Sequence, residues 1–445
     1  MIAESLLPEL QHFRALESTV IPLWYSTNYA ELVVSSRDDA APVHRWFRFK
    51  EAFSPRLLSQ LLQSLDLGLR REFTLLDPFC GVGTGLLAAE ELQTDGYHVR
   101  AIGIEVNPFI FFTAKTKLGW REAPESRFVP TGRRCLLRAE GMNPPLPALS
   151  SIRDGTCISA YMGKRVVALR NAICGLRSNE LGDALMLGLA SSIESLSRIR
   201  KDGRALRIVP KPRRNFAATI MERWQLMAED TCQRRKQLPR PGDTQVIRGD
   251  GRRPLDLGIE KNSVDLILTS PPYPNNIDYS EVYKLELWLL GLVDNEHDFL
   301  ALRKRTLRSH PTANTPSRTS RFFPNANNGP LGVLFQPLVD RCAEKQEPWR
   351  QRIFEGYFSD LWDALEQHYV CLRPGGHEIL VVGNSLHGGS AGAYLVATDL
   401  IAAAMAKLIG FEVRRAIVAR NLRRRLPGNH FLRESLVVLR KPLGE

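Results

Sequence analysis

The run FTLLDPFCGVGTGLLAAEELQ, residues 73–93, constrains this chain more than any other. Residues 73–80 read as a buried strand, 81–85 as a glycine turn and the remainder as a helix, the opening of a nucleotide-binding βαβ unit. Glycines let the backbone bend sharply and approach a ligand with no Cβ in the way, and the helix start beyond them offers free N–H groups. A second apolar run, VRAIGIEVN (99–107), ends on Glu105, 28 residues after Asp77. An acid at the tip of the second strand is placed to accept both hydroxyls of a ribose.

Five further runs have strand character: TQVIRGD (244–250), SVDLILTS (263–270), HEILVVGN (377–384), FEVRRAIVA (411–419) and ESLVVLRK (434–441). Helices fit between them, notably 357–372, closed by the RPGG stop, and 391–409. The alternation predicts an α/β fold, a Rossmann-like seven-stranded mostly parallel sheet with helices on both faces. Two connections are far too long for simple crossovers, with 136 residues between 107 and 244 and 106 between 270 and 377. Two large insertions are expected there, the first largely helical.

Charge marks the first insertion. The 445 residues carry 60 Lys and Arg against 48 Asp and Glu, a net of +12, and residues 121–240 alone hold 23 against 11. The densest stretches are SRIRKDGRALRIVPKPRRNF (197–216) and QRRKQLPR (233–240), with smaller basic runs at 303–321 and 414–425. One such run is commonly a solvated face, but three, one spread over a whole insertion, point to a polyanionic partner. An apolar share of 44% and a charged share of 24% exclude disorder, collagen and a disulfide-stapled miniprotein. Seven scattered cysteines without a CxxC pair argue for a reducing cytosol and against structural zinc, so no metal is expected. Residues 393–411 carry Asp399 and Lys407 and read as a buried helix rather than a membrane span. The acidic N-terminus lacks the pattern of an export signal, and a cytoplasmic location is expected.

At the end of the fourth strand stands TSPPY, residues 269–273. Two consecutive prolines fix two φ angles and remove two donors, which leaves rigid carbonyls facing one way. Taken alone, a proline-rich strand exit with a packing tyrosine would serve as well.

Taken with DPFCGVGTG, the motif closely resembles those of the S-adenosylmethionine-dependent amino-methyltransferases of DNA, which modify cytosine N4 or adenine N6. FRFKEAFSPRLLSQLL (47–62), IRGDGRR (247–253) and LRPGGHEILVVGNS (372–385) are similar to further segments of that family, so the resemblance covers about 220 residues of scaffold and leaves the two insertions unexplained. It implies a class I methyltransferase fold with S-adenosylmethionine as cofactor. Phe53 and Ser54 would touch the methionine end, and Asp77, Phe79, Gly81, Gly83 and Thr84 would line the methionine and adenosine. Glu105 would hold the ribose and Asp250 the adenine amino group, while Ser270, Pro271, Pro272 and Tyr273 would receive the target base. Plainer readings exist: Phe53 and Phe79 as core residues, Asp250 as a turn cap.

In this reading the Ser270 hydroxyl and Pro271 carbonyl accept the two amino hydrogens and aim the nitrogen lone pair at the methyl group, while Tyr273 stacks on a base flipped from duplex DNA. In the family the chain resembles, serine at the first motif position is commoner in cytosine-N4 enzymes and Asp or Asn in adenine-N6 enzymes, so the resemblance implies cytosine N4 ahead of adenine N6. The motif order is permuted relative to the commonest arrangement, since DPFCGVGTG precedes SPPY by 193 residues. The expected layout is a cofactor-binding part at 1–120, a basic DNA-binding and target-recognition insertion at 121–240, a catalytic core piece at 241–290, a second DNA-contacting insertion at 291–350 and the end of the core at 351–445. Arg200, Lys201, Arg204 and Arg207, with a turn at Gly203, form a candidate phosphate clamp, joined by Arg213 and Arg214. The alternative for that clamp is a basic surface hairpin. Such a role is that of the modification half of a restriction system, with a cognate restriction endonuclease as a separate protein partner, or that of a solitary methylase. Competing readings are an RNA base methyltransferase and an inactive nucleic-acid-binding subunit; the intact motif residues count against the latter.

Overall fold

The computed structural model describes residues 9–35, 41–176, 179–201, 206–275, 277–310, 313, 330–387, 394–422 and 431–444. Its strands are β1 (Leu23–Tyr25), β2 (Glu72–Asp77), β3 (His98–Glu105), β4 (Ile199–Lys201), β5 (Leu206–Ile208), β6 (Asp243–Arg248), β7 (Val264–Thr269), β8 (Leu372–Gly383), β9 (Ser385–His387), β10 (Tyr394–Val396), β11 (Glu412–Asn421) and β12 (Arg433–Arg440). The main sheet runs β1-β11-β12-β8-β7-β2-β3-β6, parallel throughout except where β12 pairs antiparallel with β11 and β8.

Successive strand residues point to opposite faces, and here both faces are covered, which is why the central strands are apolar without a break. Leu76, Ile102, Ile104 and Ile267 pack with the helices Pro348–Cys371 and Thr398–Ile409. Leu75, Ala101, Leu266 and Leu268 pack with Leu57–Ser64 and Thr84–Glu91.

Among the described residues the sheet has eight strands rather than the expected seven. All seven anticipated runs form strands, and β1 adds a parallel edge beside β11. A second correction concerns 391–409: the helix begins only at Thr398, and Tyr394–Val396 pairs antiparallel with β9. Buried Asp399 explains the start. It accepts from Asn384 Nδ2 (2.8 Å), Arg433 Nε (2.7 Å) and the Ser435 hydroxyl (2.9 Å), tying the first turn of the helix to β12 and to Asn384 just beyond β8.

Between β3 and β6 lie the helices Pro108–Leu118, Glu125–Glu140, Ala160–Cys174, Asn179–Leu196 and Phe216–Gln237, and the small β4–β5 hairpin. Buried Trp224 anchors them. Its Nε1 donates to the Leu185 carbonyl at 2.9 Å, and its ring lies over Gly132 and Gly188, where an added Cβ would fall 2.3 and 2.5 Å from ring atoms. The helices share one apolar core with Phe109, Leu285 and Trp288. Part of the basic surplus is spent inside: buried Arg234 pairs with Glu90 (2.9 Å) and Glu91 (2.5 Å).

Candidate active site

Chain order in the sheet reverses between β2 and β7. From β2 the chain steps outward through β3 to β6, then returns to lay β7 on the other side of β2. In open α/β sheets the crevice beyond the carboxyl ends at such a point is where ligands bind. DPFCG leaves β2 and SPPY leaves β7, so both motifs face this crevice, and the Thr269 hydroxyl joins them by donating to Asp77 Oδ1 at 2.8 Å.

A cavity of about 1360 Å³ opens there, lined by Phe53, Asp77, Phe79, Gly81, Thr84, Glu105, Asp250 and all four residues from Ser270 to Tyr273. A second cavity, of about 1370 Å³, lies at the amino ends of β2, β3 and β6 and touches none of the site residues read from the sequence. Two of the expected cofactor residues do not line the first cavity. Ser54 is fully buried beneath it, where its hydroxyl accepts from the Arg56 N–H (3.4 Å) just before a helix. Gly83, at φ 79°, forms the left-handed N-cap of Thr84–Glu91, so it shapes the loop from behind.

The acids are held by their own loops. Asp77 also accepts from the Phe79 N–H at 3.2 Å, and Glu105 from the Asn107 N–H at 2.7 Å. Burial pushes both carboxyls up to about 7. Asp250 has two duties. It caps the following turn through the Arg252 N–H (3.0 Å) and pairs with the Arg252 guanidinium (2.6 Å), while still lining the cavity. Gly251 makes the close packing feasible, since a Cβ there would lie 1.8 Å from the Pro78 carbonyl oxygen.

On the β7 side, the Ser270 hydroxyl and the Tyr273 phenol lie 3.4 Å apart. Burial drives the Tyr273 pKa well up, so the ring stays neutral. The ring abuts Gly383 at the end of β8, where a Cβ would come within 2.8 Å of it. Ser385 and His387, which the sequence reading passed over, line the same wall. The Ser385 hydroxyl lies 2.8 Å from His387 Nε2 and 3.3 Å from the Pro274 carbonyl, bracing the loop that carries SPPY. Glu51 was missed too, although it sits in the FRFKEAFSP segment.

Arg207, on β5, reaches the cavity and, with exposed Arg305, lines it together with the acids. Arg200, Arg213 and Arg214 are exposed. Arg204 lies outside the described residues. Lys201 corrects the clamp. It is buried, its ammonium 2.5 Å from the Glu286 carboxylate and 4.3 Å from the centre of the Tyr283 ring, so it faces inward and cannot grip a phosphate. Among the described residues no group of three or more His, Cys, Asp or Glu side chains could hold a metal ion, and no helix is long and apolar enough to cross a membrane.

No family model matches the chain. It is similar over most of its length to type II methyltransferases. Two named M.AvaI, from Nostoc sp. (strain PCC 7120 / SAG 25.82 / UTEX 2576) and Anabaena variabilis, are each 26% identical over 87% of this chain and 83% of the relative. M.BsoBI of Geobacillus stearothermophilus is 23% identical over 83% of this chain and 79% of its own.

Proposed function

We propose that this relative of the type II methyltransferases is a site-specific DNA methyltransferase that transfers a methyl group from S-adenosylmethionine to cytosine N4 in duplex DNA, as the modification partner of a separate restriction endonuclease. The observation that carries the reading is the convergence of Ser270–Tyr273 with Asp77, Glu105 and Asp250 on one cavity at the β2/β7 reversal. The residues present fit the cofactor: acidic side chains line a cavity large enough for a nucleoside with its amino-acid tail, and one buried carboxylate oxygen there, on Glu51, has no hydrogen-bond partner.

When bound, the cofactor supplies an activated methyl group on a sulfonium centre. The protein's own part is positioning. Glu105 accepts the ribose hydroxyls, and Asp250, steadied by Arg252, accepts from the adenine amino group. An exocyclic amine is a poor nucleophile because its lone pair is delocalised into the ring. The Ser270 hydroxyl and Pro271 carbonyl accept its two hydrogens, turn the lone pair out of conjugation and stabilise the charge that develops on nitrogen. Neutral Tyr273 stacks on the flipped base and offsets part of the stacking lost in the duplex. Phe53, Phe79, Gly81 and Thr84 shape the cofactor wall, with Ser54 and Gly83 supporting it from behind. Arg200, Arg207, Arg213 and Arg214 hold phosphates, and the segment 121–240, aided by 291–350, reads the site.

The test is methyl transfer from tritiated S-adenosylmethionine to duplex DNA, followed by nucleoside analysis. N4-methylcytosine is expected; N6-methyladenine would move the specificity to the other amino base, and label in RNA alone would overturn the DNA reading. Ser270→Ala should abolish transfer and leave cofactor affinity within a factor of about two, because the hydroxyl acts on the base only.

A further inference from the structure

Glu51 is a carboxylate only half used. Its Oε2 accepts from the Tyr283 hydroxyl at 2.9 Å, whereas Oε1 is buried and has no hydrogen-bond partner. Buried polar atoms in folded proteins are nearly always paired, so an orphan acceptor on a cavity wall points to a donor brought by a ligand. Asp77 is held by Thr269 and the Phe79 N–H, Glu105 by the Asn107 N–H, Asp250 by Arg252, Glu347 by Arg350 and Glu434 by Arg420. The two lysines near Glu51 are engaged elsewhere. The Lys201 ammonium pairs with Glu286, and the Lys50 ammonium donates to the Lys201 carbonyl.

Position narrows the ligand group. Glu105 ends β3 and Asp250 follows β6, both on one side of Asp77. Glu51 lies between Phe49, whose ring packs at Gly81, and Phe53, whose ring borders Gly85 together with the Asp77 carboxylate, so it stands by the loop that leaves β2. A donor with its ribose at Glu105 and its adenine at Asp250 therefore extends its amino-acid tail past Asp77 toward Glu51. Of the two cationic centres on such a donor, the sulfonium has no hydrogen to give, whereas the α-ammonium has three.

We propose that Glu51 binds the α-ammonium group of the methyl donor through its unpaired Oε1, an assignment that rests on reading the cavity as the S-adenosylmethionine site. The α-ammonium then completes the hydrogen bonding of a carboxylate otherwise left half satisfied. Burial raises the Glu51 pKa while the ligand is absent, and a cation at Oε1 would favour the ionised form.

Calorimetric titration of the full chain with S-adenosylhomocysteine and with its desamino analogue, which keeps the carboxylate and lacks the ammonium, tests the assignment without relying on activity. The wild type should bind the desamino analogue at least tenfold more weakly. Glu51→Gln should weaken S-adenosylhomocysteine by a similar factor, leave the desamino analogue unchanged and so erase the preference. Equal binding of both ligands by the wild type would overturn the assignment, as would an equal loss of both in the variant or a preference that survives it. If E51Q does not fold, E51D reads the same ratio, and a preference undiminished by the shorter arm would overturn the assignment. Failure of the wild type to bind S-adenosylhomocysteine at all would instead sink the reading of the cavity.

Discussion

At the scale of single residues, the site stores unfavourable electrostatics for later use. Asp77 and Glu105 rise from ordinary values of 3.8 and 4.5 to about 7, chiefly through burial. A folded-state pKa above the unfolded one means that the folded protein keeps protons the unfolded chain has already released. The contribution of these two groups to stability therefore worsens as pH climbs from about 4 to about 7, and above 7 the penalty is complete. Glu105→Gln removes its share. The variant should melt about 2–3 °C higher than the wild type at pH 8 without cofactor, and the gain should vanish near pH 5. Its affinity for S-adenosylhomocysteine at pH 8 should fall tenfold or more, because the amide offers the ribose one acceptor where the carboxylate offers two. Equal melting gains at both pH values would show that ionisation is not the cause.

At the scale of elements, the legible parts were those whose pattern is local. FTLLD, RAIGIE and VDLILT are continuous apolar runs ended by loop residues, and they became β2, β3 and β7 with their motifs at the carboxyl ends. What could not be read depends on partners distant in sequence. Leu23–Tyr25 is three residues long and becomes a strand only because β11 offers it an edge. In Ile199–Lys201 the alternation of a strand turns Arg200 outward and Lys201 inward, toward Glu286, which is 85 residues away. The basic run hid that alternation, so a buried cation was read as a surface one. Gly383 is a similar case: nothing local says that this glycine at the end of β8 makes room for the Tyr273 ring. Gly383→Ala should push that ring aside, at a stability cost of roughly 1–3 kcal/mol. Turnover should drop at least tenfold while cofactor affinity holds, because the loops proposed to bind the cofactor lie at the ends of β2, β3 and β6. A parallel loss of cofactor affinity in titrations would mean that the alanine disturbs the whole crevice.

At the scale of the whole molecule, the structure redistributes the net charge of +12. Arg234 and Lys201 neutralise internal acids, so they tie the basic segment to the helices Thr84–Glu91 and Lys284–Leu289 instead of extending the surface field. What faces outward from the dense basic stretch is narrower: Arg200 and Arg207 on the hairpin, then Arg213 and Arg214 beyond it, all exposed. Arg207 lines the cavity, so this strip runs up to the site proposed to receive the base. A phosphate-binding strip and an internal ion pair respond differently to the same kind of change. Charge reversal of Arg200, Arg213 and Arg214 together should leave the fold and cofactor affinity intact, weaken DNA binding strongly and flatten its logarithmic salt dependence by about 0.9 for each phosphate no longer neutralised. Lys201→Ala strands Glu286 in the interior and should cost roughly 3–5 kcal/mol of stability. Its effect on the salt slope should be negligible in any fraction that stays folded. Fluorescence anisotropy across a salt series, paired with thermal melts, separates the two. A salt slope unchanged by the triple reversal would remove the strip from the DNA interface and leave the grip to the rest of the helical segment.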